Sequence, residues 1–269
     1  MLKDKRFFIF DMDGTIYLGE SPLPNAVHFI DKLNKDRGKK LIFFTNNASK
    51  NTAYYLEKLK KLGFPENIAV LTSADVLIKF LKAHRAGKKI YLLGTPHLES
   101  MFVEEGIELV NSSNGAPDIP DIVVTSFDTT LTYDKLERAC TFIRHGAEWL
   151  TTHPDINCPI ENGGYIPDCG AINALISVST GEPLPKAFGK PSGEVIDMLE
   201  EIYDVKRGDM AMFGDRLYTD IALGKQNGVT AVLLLTGEAT LKDVAGLPMD
   251  LQPDLIFKDL FECEEHLRI

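Results

Sequence analysis

What the chain lacks narrows it first. No apolar run approaches the roughly 18 residues that a membrane span requires; the longest, such as Ala231 to Leu235, are strand-sized. No leader segment is expected, because the first apolar run, Phe7-Phe8-Ile9-Phe10, is cut off at once by Asp11. Cysteine is scarce. Cys140, Cys158, Cys169 and Cys263 show neither C-x-x-C spacing nor a regular framework, so free thiols in a reducing cytoplasm are expected. Positive charge is in deficit, with 29 lysines and arginines against 39 acids and a net charge of −10. That balance disfavours nucleic acid as a partner and favours a soluble protein. A small anion is still admissible, since a bound cation and one lysine can reverse the field locally.

What is present is a regular alternation of short apolar runs with helical patterns, the mark of an α/β protein with parallel strands. Ala26, Phe29, Ile30 and Leu33 repeat at helical spacing after the first run, and Leu56, Leu59 and Leu62 after the second. A third helix is expected over 73–85, with Leu77, Phe80 and Leu81 on its inner face. From Lys89 the pattern restarts, with strands at 90–93, 107–110, 121–125 and 149–152 and helices at 97–105, 133–145 and 170–180. Pro183-Leu184-Pro185 has the character of a linker. Beyond it come helices at 193–203, 218–227 and 259–267 and strands at 210–213, 229–235 and 255–257. At 269 residues there is room for two domains. The expected division is a core made of 1–79 and 184–269, interrupted by a smaller inserted α/β domain at 80–183.

Polar clusters stand at the ends of four of these runs. Asp11-Met12-Asp13-Gly14-Thr15 follows Phe7-Phe8-Ile9-Phe10, Thr45-Asn46-Asn47 follows Leu41-Ile42-Phe43-Phe44, Lys190 follows Ala187-Phe188-Gly189, and Gly214-Asp215 follows Met210-Ala211-Met212-Phe213. In an open parallel sheet ligands bind beyond the carboxyl ends of the strands, so the four clusters should converge. Asp11, Asp13, Asp215 and Asp220 would repel one another in one pocket unless a cation sat among them. Mg²⁺ suits such a set, because it prefers oxygen ligands and combines carboxylates with substrate phosphate. No histidine or cysteine cluster accompanies the acids, which disfavours zinc. Thr45, Asn46 and Lys190 supply neutral donors and a positive charge suited to phosphate oxygens. The chemistry implied is metal-assisted phosphoryl transfer.

In this order the motifs resemble those of the haloacid dehalogenase superfamily phosphatases, and the resemblance covers nearly the whole chain. The insertion lies where the class IIA members carry an α/β cap. Phe127-Asp128 with Thr132-Tyr133, and Thr152-His153-Pro154-Asp155, are similar to the NagD-like and 4-nitrophenylphosphatase-like enzymes of that class. The resemblance implies a doubly wound, Rossmann-like core and a Mg²⁺-dependent phosphatase acting on small soluble phosphometabolites. It implies Asp11 as a nucleophile that becomes an aspartyl-phosphate, and Asp13 as general acid and base. The metal would be held by Asp11, the Asp13 main-chain carbonyl and Asp215, with Asp220 in or near its second shell. Thr45, Asn46 and Lys190 would bind the phosphoryl group.

Taken singly, each motif has a plainer explanation: Asp13-Gly14 as an ordinary turn, Thr45-Asn46 as a helix cap, Asp220 as a first-turn carboxylate favoured by the helix dipole. Their joint occurrence beside strand ends argues otherwise. His153, Asp155, Asp168 and Cys169 are candidate substrate contacts in the inserted domain, with turn stabilisation as the alternative. Two other functions use similar residues, a phospho-aspartate signalling module and a non-catalytic phosphometabolite sensor. Expected partners are a small phosphorylated metabolite, no nucleic acid and no membrane, in a monomer or homodimer.

Overall fold

The computed structural model describes residues 2–110, 119–160 and 164–268. The chain divides into two compact units, one formed by Met1–Thr45, Thr52–Leu71 and Lys190–Ile269, the other by Asn46–Asn51 and Thr72–Gly189.

The first unit is built on a six-stranded sheet in the order Leu255–Phe257, Thr230–Leu234, Met210–Gly214, Phe7–Phe10, Lys40–Thr45, Ala69–Thr72. The pairings of the first strand are parallel on both sides, Phe7 opposite Met210 and Lys40, Phe10 opposite Phe213 and Phe43. Continuous apolar runs belong in such strands, because helices cover both faces of a parallel sheet. All four residues of Phe7–Phe10 and all five of Met210–Gly214 are buried. One face carries Phe8, Phe10, Phe43, Phe213 and Val232, packed with Phe29, Ile30 and Leu33 of helix Ala26–Lys35. Helix Leu260–Leu267 closes this side through Glu264, which accepts hydrogen bonds from Asn25 and Lys32 at 2.6 Å each.

From the first strand the chain moves outward through Lys40–Thr45 to Ala69–Thr72, then resumes on the opposite side at Met210–Gly214. The direction of winding therefore reverses between Phe7–Phe10 and Met210–Gly214. A reversal of this kind opens a crevice at the carboxyl ends of the two strands, which is where Asp11 and Asp215 stand.

The second unit has its own four-stranded sheet, Lys186–Ala187, Glu148–Thr151, Ile122–Thr125, Ile90–Leu93, again parallel at each pairing. Helices Ser73–His84, Pro96–Glu104, Tyr133–Arg144 and Cys169–Thr180 belong to it. A core of Tyr91, Leu93, Val123, Cys140, Phe142, Ile143 and Ile176, with Trp149 against it, lies under the helices. Both sheets are parallel and helix-flanked, so the fold is of the expected α/β class.

Several local expectations change. The second unit is wider than 80–183. Helix Ser73–His84 belongs with it because Phe80 packs on Phe188 at 4.6 Å and Lys82 pairs with Glu105 at 2.7 Å. The segment after Pro185 belongs with it because Lys186–Ala187 joins its sheet. The expected strand at 107–110 is a single bridge, Leu109 beside Ile90. In helix Thr52–Lys61 the buried face is Tyr55 and Leu59, four apart, and Leu56 is exposed. The expected helix at 218–227 opens with a π turn, Leu217–Ile221, before Ala222–Asn227 continues as α. The strand Ala69–Thr72, the antiparallel pair Asn157–Ile160 with Gly164–Pro167, and the short helix Leu241–Ala245 were not anticipated.

Phe10 and Phe213 stack at 4.5 Å directly beneath the two carboxylates and are wholly buried. Phe10→Ala should lower unfolding free energy by about 3–5 kcal/mol, measured by urea denaturation; a loss below about 1 kcal/mol would show that the site rests on a different part of the core.

Candidate active site

Asp11 is the first residue after its strand, and its N–H still donates to Phe213 O at 2.8 Å, so the sheet fixes its backbone. The chain then turns tightly. Met12 O accepts from the N–H of Thr15 and Ile16, and Gly14 N–H donates to Tyr17 O at 2.8 Å. Gly14 takes φ +85°, open to glycine at little cost, and a Cβ there would stand 2.6 Å from Asp215 Oδ2. This turn ends the strand with Asp11 inward and Asp13 further along the rim.

Lys190 ties three of the clusters together. Its Nζ donates to Asp11 Oδ1, lies 2.7 Å from Asp220 Oδ1 and is 3.4 Å from Phe44 O, the residue before Thr45. Asp11, Asp215 and Asp220 are all buried, and one carboxylate oxygen of each lies within 4.8 Å of the others. Thr15 Oγ1 stands between two of them, 3.4 Å from Asp11 Oδ2 and 3.3 Å from Asp215 Oδ1. The π turn brings Asp220 back beneath its own start, where Oδ2 accepts from Arg216 N–H at 3.1 Å. Such turns inside helices are frequent at functional sites.

Electrostatics show what the group needs. Burial, then the charges of Asp11 and Asp220, push the Asp215 carboxyl well above its ordinary range. Burial also raises Asp220, although Lys190 opposes the rise. Asp13 is pushed up to about 6, by burial first and Asp11 second. Burial alone would lower the Lys190 ammonium, but Asp11 and Asp220 beside it hold it above its usual value. One lysine leaves the set with excess negative charge in a poorly solvated place. All the donors are oxygen, so a hard divalent cation such as Mg²⁺ fits the residues present.

Asn46 is placed in the second unit, where its side-chain amide donates to Asp155 Oδ1 at 2.8 Å. Ser73 Oγ donates to Asn46 O at 2.6 Å. Gly189, the residue before Lys190, leaves no room beside them, since a Cβ would lie 2.5 Å from Asn46 Oδ1. The four candidates of the inserted segment prove to be bonded within this unit. His153 is fully buried, with Nε2 2.9 Å from Asp168 Oδ1 and Nδ1 2.9 Å from Thr152 Oγ1. Asp168 also caps helix Cys169–Thr180 by accepting from Cys169 N–H. Cys169 is buried beside Thr151 Oγ1 at 3.0 Å, and burial pushes its thiol up to about 12. Of the four, Asp168 caps a helix, while His153, Asp155 and Cys169 bond to side chains distant in sequence or beside them.

A family model described as haloacid dehalogenase-like hydrolase matches residues 8–108, and a second of the same superfamily matches 187–263. An acid sugar phosphatase of Staphylococcus haemolyticus is 34% identical over 262 residues, 96% of this chain and 95% of the relative. The chain belongs to the haloacid dehalogenase-like hydrolases. Among solved structures, 4-nitrophenylphosphatase from Thermotoga maritima is 40% identical, with a TM-score of 0.89 over 99% of this chain and 98% of that one. A NagD protein is 39% identical, with a TM-score of 0.87 over 99% and 100%. Glycerol phosphate phosphatase from Mycobacterium tuberculosis, in complex with magnesium, is 28% identical, with a TM-score of 0.86 over 97% and 77%. Within the family the protein is a NagD-like phosphatase with the class IIA domain plan. Among the described residues no helix is long and apolar enough to cross a membrane.

Some residues at this site carried no signal in the sequence. Thr236, Gly237 and Glu238 follow an ordinary apolar strand, yet Glu238 N–H donates to Asp215 Oδ2 at 2.8 Å. Gly214 ends its strand against Asp220, and a Cβ there would lie 2.2 Å from the Asp220 carboxyl carbon. Gly214→Ala should therefore cost about 1–3 kcal/mol in stability and lower turnover by displacing Asp220 from Lys190. Urea unfolding together with steady-state phosphate release checks both; wild-type values in each would mean that Asp220 moves aside freely.

Proposed function

We propose that the protein is a Mg²⁺-dependent phosphomonoester hydrolase working through an aspartyl-phosphate on Asp11. The observation that carries this reading is the buried group of Asp11, Asp215 and Asp220 gathered around Lys190 at the carboxyl edge of one parallel sheet. Asp11, the main-chain carbonyl of Asp13 and Asp215 would hold Mg²⁺, with Asp220 beside them. Bound there, the ion supplies charge stabilisation for the phosphoryl oxygens.

The protein's own groups then divide the work. Lys190 holds Asp11 by one carboxylate oxygen. One oxygen of Asp11 forms a bond to phosphorus as the bond from phosphorus to the substrate oxygen breaks. Asp13 gives its proton to the departing alcohol oxygen. It next takes a proton from a water that attacks phosphorus, releasing inorganic phosphate and restoring Asp11. Splitting the displacement into two easier ones is the gain of the covalent route, and proton transfer of this kind is typically worth roughly 10²–10⁴ in rate. Thr45, Asn46 and Lys190 would bind the non-bridging oxygens of the phosphoryl group.

The second unit occupies the place in the chain where the capped class carries its lid, which favours small substrates over protein side chains. The names of the relatives, acid sugar phosphatase, 4-nitrophenylphosphatase and glycerol phosphate phosphatase, share the small phosphomonoester. Sugar phosphates, glycerol phosphate, nucleoside monophosphates and nitrophenyl phosphate are therefore the substrates to compare. A reducing cytoplasm is the proposed compartment, supported by four free cysteines.

Asp11→Asn should abolish turnover while the variant melts cooperatively near the wild-type temperature. Hydrolysis at the wild-type rate by that variant would remove Asp11 as nucleophile. Inorganic phosphate release should fall to background in excess chelator and return on adding Mg²⁺. Undiminished activity in chelator would refute the cation, and a phospho-Asp11 that persists without phosphate release would favour a signalling module.

A further inference from the structure

The turn at residues 236–239 follows strand Thr230–Leu234 in the first unit and is bonded to Gly14, Asp215 and Arg216. Thr236 Oγ1 donates to Gly14 O at 2.7 Å. Glu238 N–H donates to Asp215 Oδ2 at 2.8 Å, and Ala239 N–H to Asp215 O at 3.0 Å. Arg216 Nε lies 3.2 Å from Glu238 Oε2, fastening the turn to the residue after Asp215. Between these bonds sits Gly237, where a Cβ would stand 1.9 Å from Asp215 Oδ2.

We infer that this turn is a positioning element for the cation site, with Thr236 and Gly237 as its positioning residues. The inference rests on the metal reading given above. Glu238 N–H occupies Oδ2 of Asp215, so the carboxylate is held in one rotation and Oδ1 is aimed toward Asp11 and Thr15. Thr236 fixes the Gly14 carbonyl, one peptide beyond the Asp13 carbonyl assigned to the ion. Two ligands from segments 200 residues apart are thereby set by one short turn. Groups that orient ligands in this manner typically change metal affinity or activity by about 10–100-fold when lost.

The test uses Mn²⁺ as probe, with free ion counted by electron paramagnetic resonance on the full chain. Thr236→Val keeps the volume and removes the donor; its dissociation constant for Mn²⁺ should rise about 10–100-fold, and Thr236→Ser should restore it. Gly237→Ala should weaken Mn²⁺ by steric displacement of Asp215, since its backbone is not in the left-handed region. The metal-free melting temperature of Thr236→Val should match that of Thr236→Ser. Wild-type Mn²⁺ affinity in Thr236→Val overturns the inference, as does a loss that Thr236→Ser fails to restore or that tracks a fall in metal-free stability. Absence of Mn²⁺ binding by the wild-type protein would instead remove the metal reading itself.

Discussion

Lys190 stands with its ammonium between Asp11 and Asp220 in the interior of the first unit, where three carboxylates crowd within 4.8 Å. Two like charges about 4 Å apart repel by about 4 kcal/mol where the effective dielectric is near 20. Three such acids with one lysine are still under-compensated, and burial first, then Asp11 and Asp220, raises the Asp215 carboxyl. The sheet tolerates this because its strands are already fixed by apolar contact on both faces. The carboxylates are imposed on the strand ends by the core, and the proposed divalent cation would relieve what the core has forced together. Stability and chemistry are thus in tension at one edge of the molecule.

The same edge explains which features the sequence revealed. Asp11 and Asp215 were legible because each interrupts a run that is apolar without a break, as strands buried on both faces are. Lys190 and Asp220 were legible through their order along the chain. Thr236 and Gly237 were not, because their contribution is a hydroxyl hydrogen bond and an absent side chain. Both depend on the return of Asp215 from another strand, and no periodicity records that. The pair Asn157–Ile160 with Gly164–Pro167 escaped for a local reason: Pro159 within the first strand argues against a strand. Helix Leu241–Ala245 is one short turn and a half, held mainly by the capping box of Thr240 and Asp243.

The buried chain from Ser73 through His153 to Asp168 shows how the second unit orders its own loops. His153 lies between Thr152 Oγ1 and Asp168 Oδ1 and has no exposure. A buried imidazole with partners at both nitrogens is well suited to fixing loop geometry, since each lost bond would leave a polar atom unsatisfied. Its neighbour Asp155 accepts the Asn46 amide, so one segment of this unit sets the orientation of another.

The pairing of the first strand has a further consequence, for biosynthesis. Phe7–Phe10 bonds on one side to Lys40–Thr45 and on the other to Met210–Gly214, which emerges from the ribosome some 200 residues later. Until that strand is made, one edge of an aromatic strand is therefore unpaired. Long-range parallel pairing of this kind folds slowly and leaves aggregation-prone edges open meanwhile. The nascent strand is accordingly exposed to misassociation, and the backbone of Asp11, which donates to Phe213 O, is fixed only once Met210–Gly214 has been made.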